Sequence, residues 1–111
     1  MTFLFLTSDQ LGSGPDPALG RKLLAVFLEL LAASDTPVDY VGCVNSAVYL
    51  TTEGSPVLAS LRALEQRGAR IASCKTCLAH FGLEDKLWIG VVGTMDQTVA
   101  LLAKADKVIR P

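Results

Sequence analysis

The chain has 111 residues, half of them apolar, with a formal net charge of -1 and a mean hydropathy of +0.41. That length fits a single domain over residues 1-111 whose core needs no disulfide staples. The near-neutral charge without any basic run excludes nucleic acid as the expected partner. The longest apolar stretch, Leu23 to Ala33 interrupted by Glu29, falls far short of the ~20 residues a spanning helix needs, so no membrane insertion is expected.

Such apolar richness in a small domain points to surface buried between copies, and a homo-oligomer is expected. The opening Met1-Thr2-Phe3-Leu4-Phe5-Leu6 lacks a positive segment and meets Asp9 early, unlike a signal peptide. Three cysteines, an odd count, argue against a disulfide framework and for catalytic, redox or metal use. The expected location is cytoplasmic.

In chain order, Thr2 to Thr7 reads as a buried parallel strand. Ser8 to Pro17 is a loop that closes on Asp16-Pro17, a capping acceptor followed by a residue with no N–H to lose. Leu23, Leu24, Phe27, Leu28, Leu30 and Leu31 recur at helical spacing to about Ala33. Val38 to Val44 is a second strand, ended by Asn45 and Ser46. Ala47 to Thr52 is irregular or a single turn. Ser55-Pro56 repeats the cap-then-proline signal before a helix with Val57, Leu58, Leu61 and Leu64 on its buried stripe. Gly68 stands where a left-handed terminator is wanted.

Ala69 to Ser73 is the third strand and Cys74 to about Gly82 a short helix. Leu87 to Val92 is the fourth strand, broken by Gly93. Thr94 and Gln97 make a capping box for a helix to about Ala103, with Val99 and Leu102 turned inward. Lys107 to Arg110 is the last strand. Alternating strands and helices predict an α/β fold: a mainly parallel sheet of about five strands covered on both faces. Ligands of such a sheet sit at the carboxyl ends of its strands, where the loops begin at Ser8, Asn45, Cys74 and Gly93.

The thiol pair Cys74 and Cys77 therefore falls on the functional edge by topology alone. Three residues apart, the two share a helix face. A helix start offers free N–H groups and the positive end of the dipole, and both favour the reactive thiolate. The bland alternative is a pair of small apolar residues filling a tight strand-to-helix junction. Cys74, nearest the helix end, is the expected nucleophile. Cys77 lies a turn deeper, where Leu78 and Phe81 would shelter a modified sulfur.

His80 completes Cys-x2-Cys-x2-His as a base or ligand, or simply packs beside Phe81. Cys43 either belongs to the core or joins Cys74, Cys77 and His80 in a Cys3His zinc-type set, the core being favoured. Asn45, Ser46, Thr51 and Thr52 are polar rim residues that would bind an anionic donor or cap turns. Trp88 is an interface anchor or a core residue. Gly12-Ser-Gly14 is no phosphate loop, and Glu53, Glu84 and Asp85 read as solvated charges. No cofactor and no metal are expected.

Several segments together resemble the DsrE/DsrF-like superfamily: Asp9-Gln-Leu-Gly12, Asn45-Ser46, Thr51-Thr-Glu-Gly-Ser55, Ser73-Cys-Lys-Thr-Cys-Leu78, Phe81-Gly-Leu83 and Lys104-Ala-Asp-Lys-Val-Ile-Arg-Pro111. More narrowly they are similar to the carboxy-terminal domain of YedF-type selenium-metabolism proteins. The resemblance implies a three-layer α/β/α fold and oligomers. It also implies a sulfurtransferase-like role in sulfur or selenium relay, with a persulfide on Cys74 or Cys77 assisted by Lys75, His80, Asn45 and Ser46. YedF-type proteins begin with a TusA-like sulfur-carrier domain that these residues lack, so donor and acceptor proteins, a TusA-like carrier among them, are expected in trans.

Lys75 stands where the family motif usually has glycine, and an ordinary right-handed conformation is expected there. Its cation would favour a thiolate or persulfide. Two other readings compete: a non-catalytic oligomeric assembly module with structural thiols, and a thiol–disulfide redox protein. The latter lacks the aromatic that precedes a thioredoxin-type motif.

Overall fold

The computed structural model describes all of residues 1–111. Five strands form one sheet: β1 (Thr2–Leu6), β2 (Tyr40–Cys43), β3 (Arg70–Cys74), β4 (Val91–Gly93) and β5 (Lys107–Ile109). Their order is β4-β3-β2-β1-β5, and every neighbouring pair is parallel. The predicted α/β fold is borne out. From β1 to β4 the chain always steps the same way, so right-handed crossovers put the intervening helices on one face. The return from β4 to β5 runs the other way, which sends its helix to the opposite face.

The first face is thickly covered. It carries α1 (Pro17–Ala33), the 3-10 segment Asn45–Leu50, α2 (Leu58–Gln66) and α3 (Lys75–His80). Asp16 caps α1 as its side chain accepts from Ala18 and Leu19, with Pro17 in the first turn. Leu24, Leu28, Leu61, Leu64 and Leu78 meet Leu4, Leu6, Val41, Cys43 and Ile71 in a cluster of 18 buried residues. Each such leucine contributes about 1.5–3 kcal/mol by leaving water. Arg67, just past α2, donates to the carbonyls of Leu31, Ala32 and Thr36, closing the open end of α1.

The second face is thinly covered, by α4 (Met95–Lys104) alone, and no residue of α4 is fully buried. Its predicted capping box between Thr94 and Gln97 is present. Between α4 and the sheet runs a groove of about 360 Å³, lined by Phe3, Gly42, Ala72, Cys74, Ala100 and Leu101 among others. The Phe3 ring lies over Gly42, where an added Cβ would stand 2.7 Å from Phe3 Cζ. No helix is long and apolar enough to cross a membrane.

Several local expectations shift. The fourth strand begins at Val91, not Leu87, because Gly90 adopts φ +78° against the Ile71 carbonyl and bends the approach. Leu87 makes only an isolated antiparallel bridge to Thr52. Ser55 does not cap α2: its hydroxyl accepts from Val57, forming a turn one step ahead of the helix. Val99 points outward at 59% exposure, and Leu101 lines the groove instead. The segment after β2 is a regular 3-10 turn from Asn45 to Leu50.

Candidate functional site

Side-chain alternation at the end of β3 sets the site. Ser73 points into the thick face, fully buried, with Oγ 2.6 Å from Thr51 Oγ1. The next residue, Cys74, therefore turns toward the groove under α4 and is 7% exposed. Lys75 opens α3 in right-handed geometry, as expected, and Asn45 is the one non-glycine residue with positive φ. The first turn of α3 carries Cys77 across the strand ends to the loop that follows β2.

There the Asn45 N–H donates to Cys77 Sγ at 3.0 Å. Asn45 adopts φ +54°, a left-handed conformation that asparagine tolerates better than most side chains. Cys77 is half-buried and is the more open residue of the pair. Ser46 stands beside it in sequence but serves the neighbouring loop. Its hydroxyl accepts from the Asp9 N–H at 3.2 Å and lies 3.5 Å from Ser8 Oγ.

The sulfur electrostatics differ from the expectation of a depressed thiol pKa. Cys77 is pushed up, first by desolvation, and further by the adjacent Cys74 thiol, while the Asn45 N–H pulls the other way. The physical reason is scale: α3 has only six residues, so its dipole is short, and the sulfur loses more hydration than one N–H restores. Burial alone pushes the Cys43 thiol up to about 12.

Cys43 sits in the thick-face core, 1% exposed. The Cys3His arrangement is not assembled, since no three His, Cys, Asp or Glu side chains come together. His80 is exposed and meets the Phe81 ring edge-on at 5.1 Å. Thr51 and Thr52 are not rim ligands. Both are buried, and the Thr51 carbonyl accepts from Trp88 and Ile89, latching the segment before β4. Glu53 reaches Lys86 at 3.8 Å on the surface, and Trp88 is 60% exposed.

Sequence reasoning missed Tyr49. It projects from the 3-10 segment, 42% exposed, with its ring 5.0 Å from that of Phe81. Phe81 lies four residues after Cys77, so the two belong to one side of the short helix and its exit. The signal was one aromatic within Ala47 to Thr52, a stretch without clear periodicity.

A search of curated proteins gives no match. Two solved structures share the architecture. The protein of unknown function MTH1491 from Methanobacterium thermoautotrophicum is 20% identical, over 99% of this chain and 97% of that one, with a TM-score of 0.68. The ychN protein from E. coli is 19% identical over the whole of both chains, with a TM-score of 0.65. At such identities the likeness speaks for the fold. The family model for the DsrE/DsrF-like family matches residues 39–111, the stretch that carries β2 to β5, the Asn45 loop and all three cysteines. With fold and family model in agreement, this chain belongs to the DsrE/DsrF-like family.

Proposed function

We propose that this protein is a sulfur carrier in which Cys77 receives a sulfane sulfur, holds it as a persulfide and yields it to an acceptor thiol. The observation that carries this reading is the half-buried Cys77 at the carboxyl edge of the sheet, with the Asn45 N–H directed at its sulfur at 3.0 Å. Family membership supports the same chemistry, since the resemblance to the DsrE/DsrF-like superfamily implies a role in sulfur relay.

The exchange balances without an external oxidant or reductant. The donor is a protein persulfide, R–S–S–H. Cys77 releases its proton to water, and its thiolate attacks the outer sulfur of the donor. The donor S–S bond breaks as the new S–S bond forms, and the donor departs as a thiolate that takes up a proton. An acceptor thiolate then attacks the outer sulfur on Cys77, which leaves as a thiolate in turn.

The raised Cys77 pKa suits a carrier more than a fast catalyst. A thiol of high pKa is a poor leaving group, so the bound sulfur is retained against casual thiols until a positioned acceptor arrives. A persulfide is a stronger acid than a thiol and carries negative charge at neutral pH. The Asn45 N–H offsets that charge on the rim. Cys74, adjacent and nearly buried, is the supporting thiol, reversing the order expected from helix position. Tyr49 and Phe81 give donor and acceptor proteins an aromatic shoulder to dock against.

Intact-mass measurement after treatment with polysulfide tests the proposal. The wild type is expected to gain one sulfur atom that a dithiol reductant removes. Cys77→Ser is expected to gain none, and Cys74→Ser to keep the gain. A wild type that takes up no sulfur would overturn the carrier reading in favour of an assembly module. Loss of two hydrogens in place of a gain would point to thiol–disulfide exchange.

A further inference from the structure

The groove under α4 takes its shape from the residues the strands turn to that face. In register across the sheet, Val91, Ala72, Gly42 and Phe5 form one row, and Arg70, Tyr40, Phe3 and Val108 form the row before it. Ala72 and Gly42 are the small members of their row, so the floor is hollow between them and α4. The hollow holds about 360 Å³, within the range of a small-molecule site. Ala100 and Leu101 roof it with carbon. The polar residues of the roof are already engaged: Thr94 and Gln97 in their capping box, and Thr98 Oγ1 donating to the Thr94 carbonyl at 3.3 Å. A sugar or nucleotide would leave its polar groups unpaired against such walls, whereas a hydrocarbon chain would not.

The two ends of the groove differ. Cys74 closes it at the carboxyl edge of the sheet, and Arg70, which is exposed, lines it at the amino edge. Lys104 follows Leu101 by three residues on the same side of α4 and brings a second exposed cation to the amino edge. The carboxylates of that edge are spoken for. Asp39 accepts from the Thr2 N–H at 2.7 Å, and Asp106 pairs with the amino terminus. The chain's other ion pair joins Lys86 to Glu53, so Arg70 and Lys104 have no acidic partner. From Arg70 to Cys74 the strand advances about 13 Å, the length of an extended chain of about ten carbons.

We propose that this groove is a binding site for a free medium-chain carboxylate, its tail lying over Ala72 and Gly42 toward Cys74 and its head meeting Arg70 and Lys104 at the amino edge. Burial of the tail supplies the affinity, and the two cations fix which way round it lies. An occupied groove covers Cys74 and leaves Cys77 open on the rim. The site does not depend on sulfur loading at Cys77.

Titration calorimetry of the full chain with decanoate tests the site, with 1-decanol as the uncharged control and circular dichroism as the fold control. Decanoate is expected to bind saturably and more tightly than 1-decanol. Arg70→Gln, on an exposed side chain, is expected to weaken decanoate about tenfold and to leave 1-decanol unchanged. Ala72→Leu fills the floor and is expected to abolish binding of both. At about ten times its dissociation constant, decanoate is expected to slow native-state alkylation of Cys74 about tenfold without slowing that of Cys77. No saturable binding to the folded wild type, as when a second copy of the chain fills the groove, would overturn the proposal. So would decanoate affinity indifferent to Arg70→Gln, or protection of Cys77 in place of Cys74.

Discussion

The two faces of the sheet treat the same residue type in opposite ways. On the thick face, α1, α2 and α3 enclose Cys43, and burial alone takes its thiol out of reach of neutral-pH chemistry. On the thin side, Cys74 borders a groove covered only by α4, and Cys77 rises from the next turn to the rim. Cys43 and Cys74 differ less in sequence context than in which way the strand points them. Position on a pleated strand, one residue either way, decides between an inert core sulfur and a thiol beside the functional edge.

That contrast is open to attack at several points. Leu61→Ala on the thick face removes a side chain with no exposure, and a loss of about 2–5 kcal/mol is expected in urea unfolding. Leu101→Ala on the thin face, half-buried over an existing groove, is expected to cost less than about 1.5 kcal/mol. Equal losses would remove the asymmetry.

Alkaline titration sharpens the comparison between sulfurs. The folded state holds Cys43 as a neutral thiol up to about 12, while the unfolded chain ionises it in the ordinary thiol range. Above that range the unfolded state binds fewer protons, so stability falls as pH rises, by close to 1.4 kcal/mol per pH unit from this residue. Cys43→Ala is expected to be less stable at neutral pH but to lose that slope. An unchanged slope would mean Cys43 is hydrated.

Smaller effects follow at the helix junctions. Arg67→Ala leaves the Leu31, Ala32 and Thr36 carbonyls to water and is expected to cost about 1–2 kcal/mol. Asn45→Gly keeps the left-handed backbone and the N–H to Cys77, so sulfur loading is expected to persist with little change in stability. Asn45→Val is expected to cost about 1–2 kcal/mol, because a β-branched residue resists φ +54°. Native-state alkylation of Cys77 is expected to accelerate into the alkaline range rather than level off near neutrality. Cys74→Ser is expected to bring that rise to lower pH by removing a neighbour that raises the thiol.

Much of the fold was legible because its signals are local. Asp16-Pro17, the Thr94–Gln97 capping box, Gly68 and the strand–helix alternation each act within a few residues, and all appear as read. The errors come from tertiary context. Gly90 fell inside the strand read from Leu87 to Val92, yet its positive φ against Ile71 shortens β4. Val99 looked inward by periodicity, but Gln97, Thr98, Ala100 and Leu101 are the residues of α4 that line the groove, and Val99 is left outside. At the site, both thiols were legible from spacing. The balance between them was not, because it rests on the Asn45 N–H from another strand's loop and on desolvation. Neither is encoded near Cys77.

Peptide mapping of the loaded protein tests the assignment of the carrier sulfur most directly. Trypsin cleaves after Arg70, Lys75 and Lys86, which puts Cys74 and Cys77 on separate peptides, 71–75 and 76–86. After polysulfide loading and persulfide-specific tagging, the tag is expected on 76–86. A tag on 71–75 or on the peptide holding Cys43, with 76–86 unmodified, would contradict the assignment to Cys77.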